Sequence, residues 1–550
     1  MLPSREILTL QFGNYSNYVG THWWNIQESG FNYDPYAIPS GIDHDLLYRE
    51  GTDFKGQATY TPRLLFVDLK GSLKHYSSNG LYGGSSDLDK VQQELPWDSN
   101  AVEIVEAESI PKPQYQKDLD ESKNVAANDY DFKNSVETWT DFAYTRFHPR
   151  SATVVNEFEH SLTEEPFDCF TSGVELWKSE TFDYDFCEKI RQYIEECNNC
   201  QGFQMLFDCT NGFSGLAAKC LDHLNDEYSK TNFTIPLFSP KPQNFRNADT
   251  PMSESIRVIN AAMSFANLFE QSSLILPLST MARCWRQNDN QRQFPYLSYD
   301  QHNFYETSSI LATYLDTISM KYRVKDASKA SLLSGFCTDL CNYGRKLAAA
   351  ALALPLKLGT DQDFIDCLDQ QDGPIFTQLT PNAKIGTDRV VQSVFVRGIP
   401  SDKLKRPLKS ANQQIKMAAY QCNSVSEMLQ LYFQCNNYAS MSHVSNIDSG
   451  MPIKIPFPYE MFDRRVQSNG WIGDVDRINS KDITSVPALA VAQVSSELSD
   501  TIESLHREAK RIKILKIHRF KETGLEENDM VEILEKLLEF KDNYDDNFEL

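Results

Sequence analysis

Apolar positions along this chain come in short blocks, and the spacing inside the blocks switches between two periods. Ile7, Leu8 and Leu10 lie in a run that Gln11-Phe12 closes and Gly13-Asn14 turns, which predicts a strand. Tyr15, Tyr18, Val19, Trp23 and Ile26 then recur at helical spacing, which predicts a helix over 15–28. Residues 63–69, ended by Gly71, form a second apolar run of strand length. Beyond residue 183 the alternation becomes regular. A helical pattern over 183–197 runs into a strand at 203–207, a polar turn at 210–215 and a helix over 216–228. A strand at 233–238 follows, then a helix over 253–270 and a strand at 273–277. Strands alternating with helices predict an α/β fold with a mostly parallel sheet covered on both faces. Ligands of such sheets lie beyond the carboxyl ends of the strands.

The rest of the chain divides less sharply. A helical segment over 299–322 reads as a spine leading out of a first domain, residues 1–298. Residues 323–494 mix both periods and read as a second α/β domain. Residues 495–550 carry Leu498, Ile502, Leu505, Val531, Leu534, Leu537 and Leu538 at three-and-four spacing, which predicts C-terminal helices ending in an acidic tail over 542–550. That tail is expected to be disordered. Residues 84–135 are acidic, poor in large aliphatics and broken by Pro111-Lys112-Pro113, so they read as a mobile surface insertion.

Charge narrows the function classes. Lys and Arg total 53 against 76 Asp and Glu, a net charge of −23. Binding to nucleic acid needs clustered cations and is not expected. No membrane span is expected either, because the run at 347–358 is interrupted by Pro355 and falls well short of the roughly twenty apolar residues that a spanning helix needs. The opening residues read directly as a strand, so no leader peptide is expected. Among twelve cysteines, Cys197-x-x-Cys200 is the only C-x-x-C, and no second pair completes a zinc spacing.

The stretch from Gln201 to Gly215 carries the most chemistry. A strand that ends in Thr210-Asn211-Gly212-Phe213-Ser214-Gly215 and enters a helix can cradle phosphate with free backbone N–H groups and the helix dipole. The same residue types also serve as plain helix caps. The residues alone leave both readings open.

Position adds a resemblance. Gln201-Gly202-Phe203-Gln204 followed by Asn211-Gly212-Phe213-Ser214-Gly215 resembles the strand and glycine loop of the tubulin family. Arg5-Glu6-Ile7 with Gln11, Gly13, Asn17 and Gly20 resembles the family's opening. Val67-Asp68-Leu69, Ser239-Pro240-Lys241, Asn260, the pair Tyr299 and Asn303, and Arg345-Lys346-Leu347-Ala348 match later landmarks in order. The resemblance implies a tubulin/FtsZ-like fold and GTP or GDP as ligand. Guanine would stack on Tyr299 and bond Asn260 and Asn303. Phosphates would meet the turns at Gly13, Asn14 and Asn17, beside Asp68, and at Asn211, Gly212, Ser214 and Gly215. By the same resemblance Arg345-Lys346-Leu347-Ala348 is expected to lie in the first helix of the second domain.

The departures are as informative as the matches. Lys70 follows Val67-Asp68-Leu69 where many tubulins carry a glutamate near magnesium, and two of the three loop glycines are Thr210 and Asn211. Phe170 to Gly173 matches only the end of the third loop. The segment that supplies acids to a neighbour's nucleotide in tubulin polymers reads Cys341-Asn342-Tyr343-Gly344 before Arg345, with Tyr343 in the aspartate position and Asp339 nearby. No catalytic residue is assigned.

One branch matches further. Residues 13–25, Tyr48-Arg49-Glu50-Gly51, Tyr60-Thr61-Pro62-Arg63-Leu64, Gly71-Ser72-Leu73, His148-Pro149-Arg150-Ser151 and Phe294-Pro295-Tyr296-Leu297 resemble the Misato family. That resemblance implies a non-enzymatic protein needed for mitochondrial distribution and morphology, located in the cytoplasm at the outer face of the mitochondrial outer membrane. Tubulin and the cytosolic chaperonin and prefoldin are the implied partners, with a role in spindle assembly. The alternative is an assembling GTPase of the tubulin/FtsZ type. Other clusters read blandly. Trp23-Trp24 reads as core, and His22, His44 and His148 lack a metal spacing. The acidic insertion reads as a solvated loop. The basic run of Arg507, Lys510, Arg511, Lys513, Lys516 and Arg519 reads as a solvated helix face.

Overall fold

The computed structural model describes residues 5–31, 41–52, 56, 58–74, 111–160, 166–240, 251–286, 290–326, 329–406 and 416–545. Its first sheet contains β1 (Ile7–Phe12), β2 (Leu64–Lys70), β3 (Ala152–Glu159), β4 (Gly202–Asp208), β5 (Thr231–Leu237) and β6 (Leu274–Ile275). They lie in the order β3-β2-β1-β4-β5-β6, and every pairing is parallel. All six residues of β1 and all seven of β4 are buried, as a strand covered on both faces requires. The chain runs outward from β1 on one side and restarts at β4 on the other. Phe12 pairs with Phe207 across that reversal. The turns after β1 and β4 therefore sit side by side at the switch point of the sheet, where ligands of this architecture bind.

Helices cover both faces: α1 (Asn14–Ser29), α2 (Gln114–Asp120), α3 (Phe170–Trp177), α4 (Cys187–Glu195), α5 (Phe213–Tyr228) and α6 (Pro251–Gln271). The spine is α7 (Phe304–Arg323), buried along most of its length. Its many hydroxyl residues tolerate burial because they bond back to their own helix. Ser309 Oγ donates to Glu306 O at 2.7 Å and Thr313 Oγ1 to Ser309 O at 2.8 Å. After α8 (Leu333–Leu340) comes the second sheet. Its strands are β7 (Ala349–Ala353), β8 (Thr377–Gln378), β9 (Val391–Arg397), β10 (Met441–Ile447) and β11 (Ala488–Val494), ordered β8-β7-β11-β9-β10. Only β9 and β10 pair in parallel. Asp316 on α7, buried, bonds both Arg323 and Arg397 of β9, and this ion cluster ties the spine to the second sheet. The C-terminal helices are α9 (Ser499–Lys510) and α10 (Glu527–Asp542).

Four expectations are corrected. The spine helix begins at Phe304 rather than Tyr299, because Asn303 caps it: its Oδ1 accepts from Tyr305 N at 2.9 Å and Glu306 N at 3.3 Å. Arg345 to Ala348 is extended chain, not helix. Leu347 bridges Ile275 of the first sheet and leads straight into β7. Of the expected mobile insertion, residues 84–110 lie outside the described residues, and residues 111–135 are mostly exposed but form short helices anchored by a few buried side chains. Tyr115 and Phe132 are buried, and Phe132 packs on Tyr305 with ring centroids 5.6 Å apart. Of the acidic tail, residues 546–550 lie outside the described residues, but residues 542–545 are anchored. Tyr544 is fully buried, and its hydroxyl accepts from Leu347 N at 2.7 Å and donates to Leu347 O at 3.0 Å. Trp23 and Trp24 are core residues, as expected. His22 is buried, bonds Tyr305 O and is held neutral by burial, with its pKa lowered to about 3.

Candidate nucleotide-type site

The switch point gathers most of the residues that the sequence singles out, and their own neighbours occupy them. Gly13 turns from β1 into α1 at φ 107°, a conformation glycine adopts without strain. A Cβ there would lie 2.6 Å from the carboxyl carbon of Asp208. Asp208 ends β4, and its carboxylate reaches across to the start of α1. It accepts from Tyr15 N at 3.1 Å and from Ser16 N at 2.8 Å. A helix N-terminus is an anion site, and here the protein's own side chain fills it. Burial pushes the Asp208 pKa up to about 7, although the two N–H donors favour the anion. Asn14 starts α1 at this turn. One helical turn on, Asn17 Nδ2 donates to Val67 O at 3.2 Å and to Asp68 Oδ2 at 2.9 Å.

Asp68 is committed as fully. Besides Asn17 it accepts from Trp139 Nε1 at 2.9 Å and Leu69 N at 2.9 Å. It is completely buried, and desolvation raises its pKa despite those donors. Among the described residues, no group of three or more His, Cys, Asp or Glu is placed to hold a metal ion.

The second turn is closed by a different device. Gly212 N donates to Phe167 O at 3.1 Å, Phe213 N to Asn211 Oδ1 at 3.1 Å, and Ser214 N to Asn211 O at 3.1 Å. Gly215 N and Leu216 N both donate to Gly212 O, at 3.1 and 3.2 Å. Every backbone N–H from 212 to 216 thus has an acceptor inside the chain, and Ser214 Oγ donates to Asn211 O at 2.6 Å. The glycines serve packing. A Cβ on Gly212 would meet the Phe167 ring at 2.7 Å, and one on Gly215 would lie 1.9 Å from Phe170 O. One on Gly173 of α3 would lie 1.9 Å from Gly212 O. The segment from Phe167 to Gly173 therefore lies directly over the turn. Asn260 fastens it there. Its Oδ1 accepts from Phe170 N at 2.8 Å, and its Nδ2 donates to Asp168 O at 2.6 Å and Thr210 O at 2.9 Å. From the C-terminal region Arg519 pairs with Asp168, and Thr523 bonds Thr171.

The guanine-type residues are split. Tyr299 donates from its hydroxyl to Arg292 O at 2.7 Å and lines a cleft of about 430 Å³ with Asn290, Gln291, Gln293, Asp300, Gln301 and His302. Asn260 and Asn303 do not line that cleft. Asn303 is the cap of α7, and its Nδ2 donates to Lys133 O at 2.9 Å. Tyr15 links the two halves. It faces Phe304 at 5.0 Å and lies close enough to Asp208 and Tyr299 for both to act on its hydroxyl. A triphosphate would find a carboxyl group already seated on α1 and no free backbone N–H at 212–216. The sequence pattern singled out neither Asp208 nor Phe167. The available signal for Asp208 was an acid closing a mostly apolar strand just before the turn.

The segment that tubulin-like polymers present to a neighbour is covered as well. Arg345 Nε donates to Asn543 O at 2.9 Å, and Lys346 Nζ donates to Phe269 O at 2.9 Å. Phe540 of α10 stacks on Phe269 with centroids 3.5 Å apart, which seats the C-terminal end over residues 342–347. Half of the basic run of the C-terminal region is paired, Arg507 with Glu503, Arg511 with Glu508 and Arg519 with Asp168. No described helix is long and apolar enough to cross a membrane.

Fold and switch-point geometry place this protein in the tubulin-like class, and a tubulin domain model matches residues 131–324. Residues 5–121 match the Misato Segment II tubulin-like domain. The chain is 39% identical to Protein misato of Drosophila melanogaster, covering 99% of both chains. It is 29% identical to Protein misato homolog 1 of Homo sapiens over 97% of each. It is also 32% identical to Protein DML1 of Phaeosphaeria nodorum over 58% of this chain and 59% of that protein. The chain belongs to the Misato family.

Proposed function

We propose that this protein is a non-enzymatic organiser of mitochondrial distribution and morphology, acting at the cytosolic face of the mitochondrial outer membrane through protein contacts. Tubulin and the cytosolic chaperonin and prefoldin are the proposed partners, and spindle assembly a further role. The mitochondrial, spindle and partner readings rest on the family resemblance. The non-enzymatic reading rests on one observation above all: the Asp208 carboxylate occupies the N-terminus of α1 where a nucleotide phosphate would be held. Two further features support it. The backbone N–H groups of 212–216 all have acceptors inside the chain, and Asn543 and Tyr544 cover the segment around Arg345 that a filament neighbour would have to meet.

Sedimentation of the purified protein with and without GTP tests the assembly part. The proposal expects no GTP-dependent pelleting, and pelleting that grows with GTP would overturn it. Depletion in cells tests the mitochondrial part. Clustered or fragmented mitochondria, restored by the wild-type chain and by Asp208→Asn, are expected. A normal mitochondrial network after depletion would contradict it.

A further inference from the structure

The C-terminal region carries a charge pattern that the function above does not use. From Arg507 to Lys521 there are seven Lys and Arg and one acid, Glu508, in a chain whose net charge is −23. This segment leaves the end of α9, makes a 3-10 turn at Ile514–Lys516 and continues as a short helix at His518–Glu522. Its inward side is apolar and fixed. Ala509, Ile514, Ile517 and Phe520 are buried. Arg519 pairs with Asp168 and Thr523 bonds Thr171, which ties the far end to the Phe167–Gly173 segment. Lys516 N donates to Lys513 O at 3.1 Å and Ile517 N to Ile514 O at 2.7 Å, so the turn is closed by its own backbone.

The outward side divides by residue type. The arginines are spent on acids of the same chain, Arg507 on Glu503, Arg511 on Glu508 and Arg519 on Asp168. Lys510, Lys513, Lys516 and Lys521 are exposed and form no ion pair among the described residues. Leu515, at the tip of the closed turn between Lys513 and Lys516, is 61% exposed. This arrangement suits a bilayer better than an acidic protein. Planar guanidinium forks match protein carboxylates two bonds at a time, and here they are already committed, whereas lysine ammoniums act as adaptable point charges. Lysine stems reach up to headgroups while an apolar neighbour enters the acyl boundary. The many acids elsewhere in the chain do not cancel the local charge, because at physiological salt exposed charges beyond about 8 Å are largely screened.

We propose that residues 510–521 form a docking surface for anionic lipid, in which Lys510, Lys513, Lys516 and Lys521 meet the headgroups of a bilayer and Leu515 enters its surface. The inference deepens the reading of a protein at the mitochondrial outer membrane and rests on that reading for which membrane is met. Docking is reversible, since four lysines and one leucine fall far short of an inserted helix.

The test is co-sedimentation of the full-length protein with vesicles of phosphatidylcholine mixed with phosphatidylserine, against vesicles of phosphatidylcholine alone. Binding to the mixed vesicles and not to the neutral ones is expected, and it should be lost near 1 M salt, where the screening length falls to about 3 Å. Replacing Lys510, Lys513 and Lys516 together by Glu should weaken binding by about tenfold or more, and Leu515→Ser by about threefold. All four positions are exposed, so thermal unfolding should show an unchanged Tm. If the triple variant does not fold, Leu515→Ser and the salt series carry the test. Equal binding to both kinds of vesicle, or unchanged binding in the variants, would overturn the proposal. So would binding to polyglutamate with none to the mixed vesicles, which would make this a surface for an acidic protein segment. The depletion experiment fails separately: normal mitochondria there would end the mitochondrial reading and leave vesicle binding standing, whereas absent vesicle binding ends the docking surface alone.

Discussion

The turn after β1 and the turn after β4 stand side by side at one switch point, and both lead from a buried parallel strand into a helix. They are closed by unlike means. The first is stopped by a single carboxylate, Asp208, lent by the neighbouring strand. The second is sealed by its own backbone, by the Phe167–Gly173 segment lying on it and by Asn260 pinning the two together. A one-residue plug can be altered without disturbing the fold around it. A seal made of backbone contacts cannot. The comparison therefore predicts a graded response to substitution.

The largest effect belongs to the sealed turn. Gly215→Ala puts a methyl 1.9 Å from Phe170 O, and backbone on both sides leaves nowhere to move. We expect a loss of about 3 kcal/mol or more, read as failure to recover soluble protein or a steep fall in Tm. Asn260→Ala comes next. It removes three bonds to buried backbone groups and leaves those groups unpaired, a cost of about 3 kcal/mol by thermal unfolding. A near-neutral Asn260→Ala would mean that the cover is not pinned, and the contrast between the turns would fail.

The plugged turn responds to pH instead. Asp208 has a folded pKa of about 7, above its ordinary value of 3.8, so the folded state holds a proton that the unfolded chain has released. Its stabilising contribution is full below about pH 4 and is lost as the pH rises towards 7. The stability advantage of the wild type over Asp208→Asn should therefore shrink by roughly 2 kcal/mol between pH 5 and pH 7 and then level off. A constant difference across that range would place the Asp208 charge outside the buried turn. The smallest effect is expected at Asn303→Ala, which removes the cap of α7 at a cost of about 1 kcal/mol, measured as a small shift in Tm.

The strand and helix alternation was legible because each buried strand is one apolar block bounded by turn residues. The adjacency of the Gly13 and Asn211 turns followed from the resemblance. The roles inside the site were less legible, because contacts made them. Asp208 meets Ser16 across 192 positions of chain, and no local pattern marks that pairing. Composition misled where single aromatics outweighed many acids: Tyr115 and Phe132 anchor the otherwise exposed segment 111–135, and Tyr544 anchors residues 542–545. The resemblance misled at Arg345 to Ala348, which is extended chain leading into β7, where Ala349 to Ala353 pair with β11.

The central claim is that this tubulin-like switch point is filled by the chain's own groups and holds no nucleotide. Mass spectrometry of small molecules released from the protein, purified without added nucleotide and denatured, tests it most directly. The account predicts far less than one guanine nucleotide per chain, unchanged when GTP is added before a desalting step. Release of GTP or GDP near one per chain, lost in Tyr299→Ala, would contradict it.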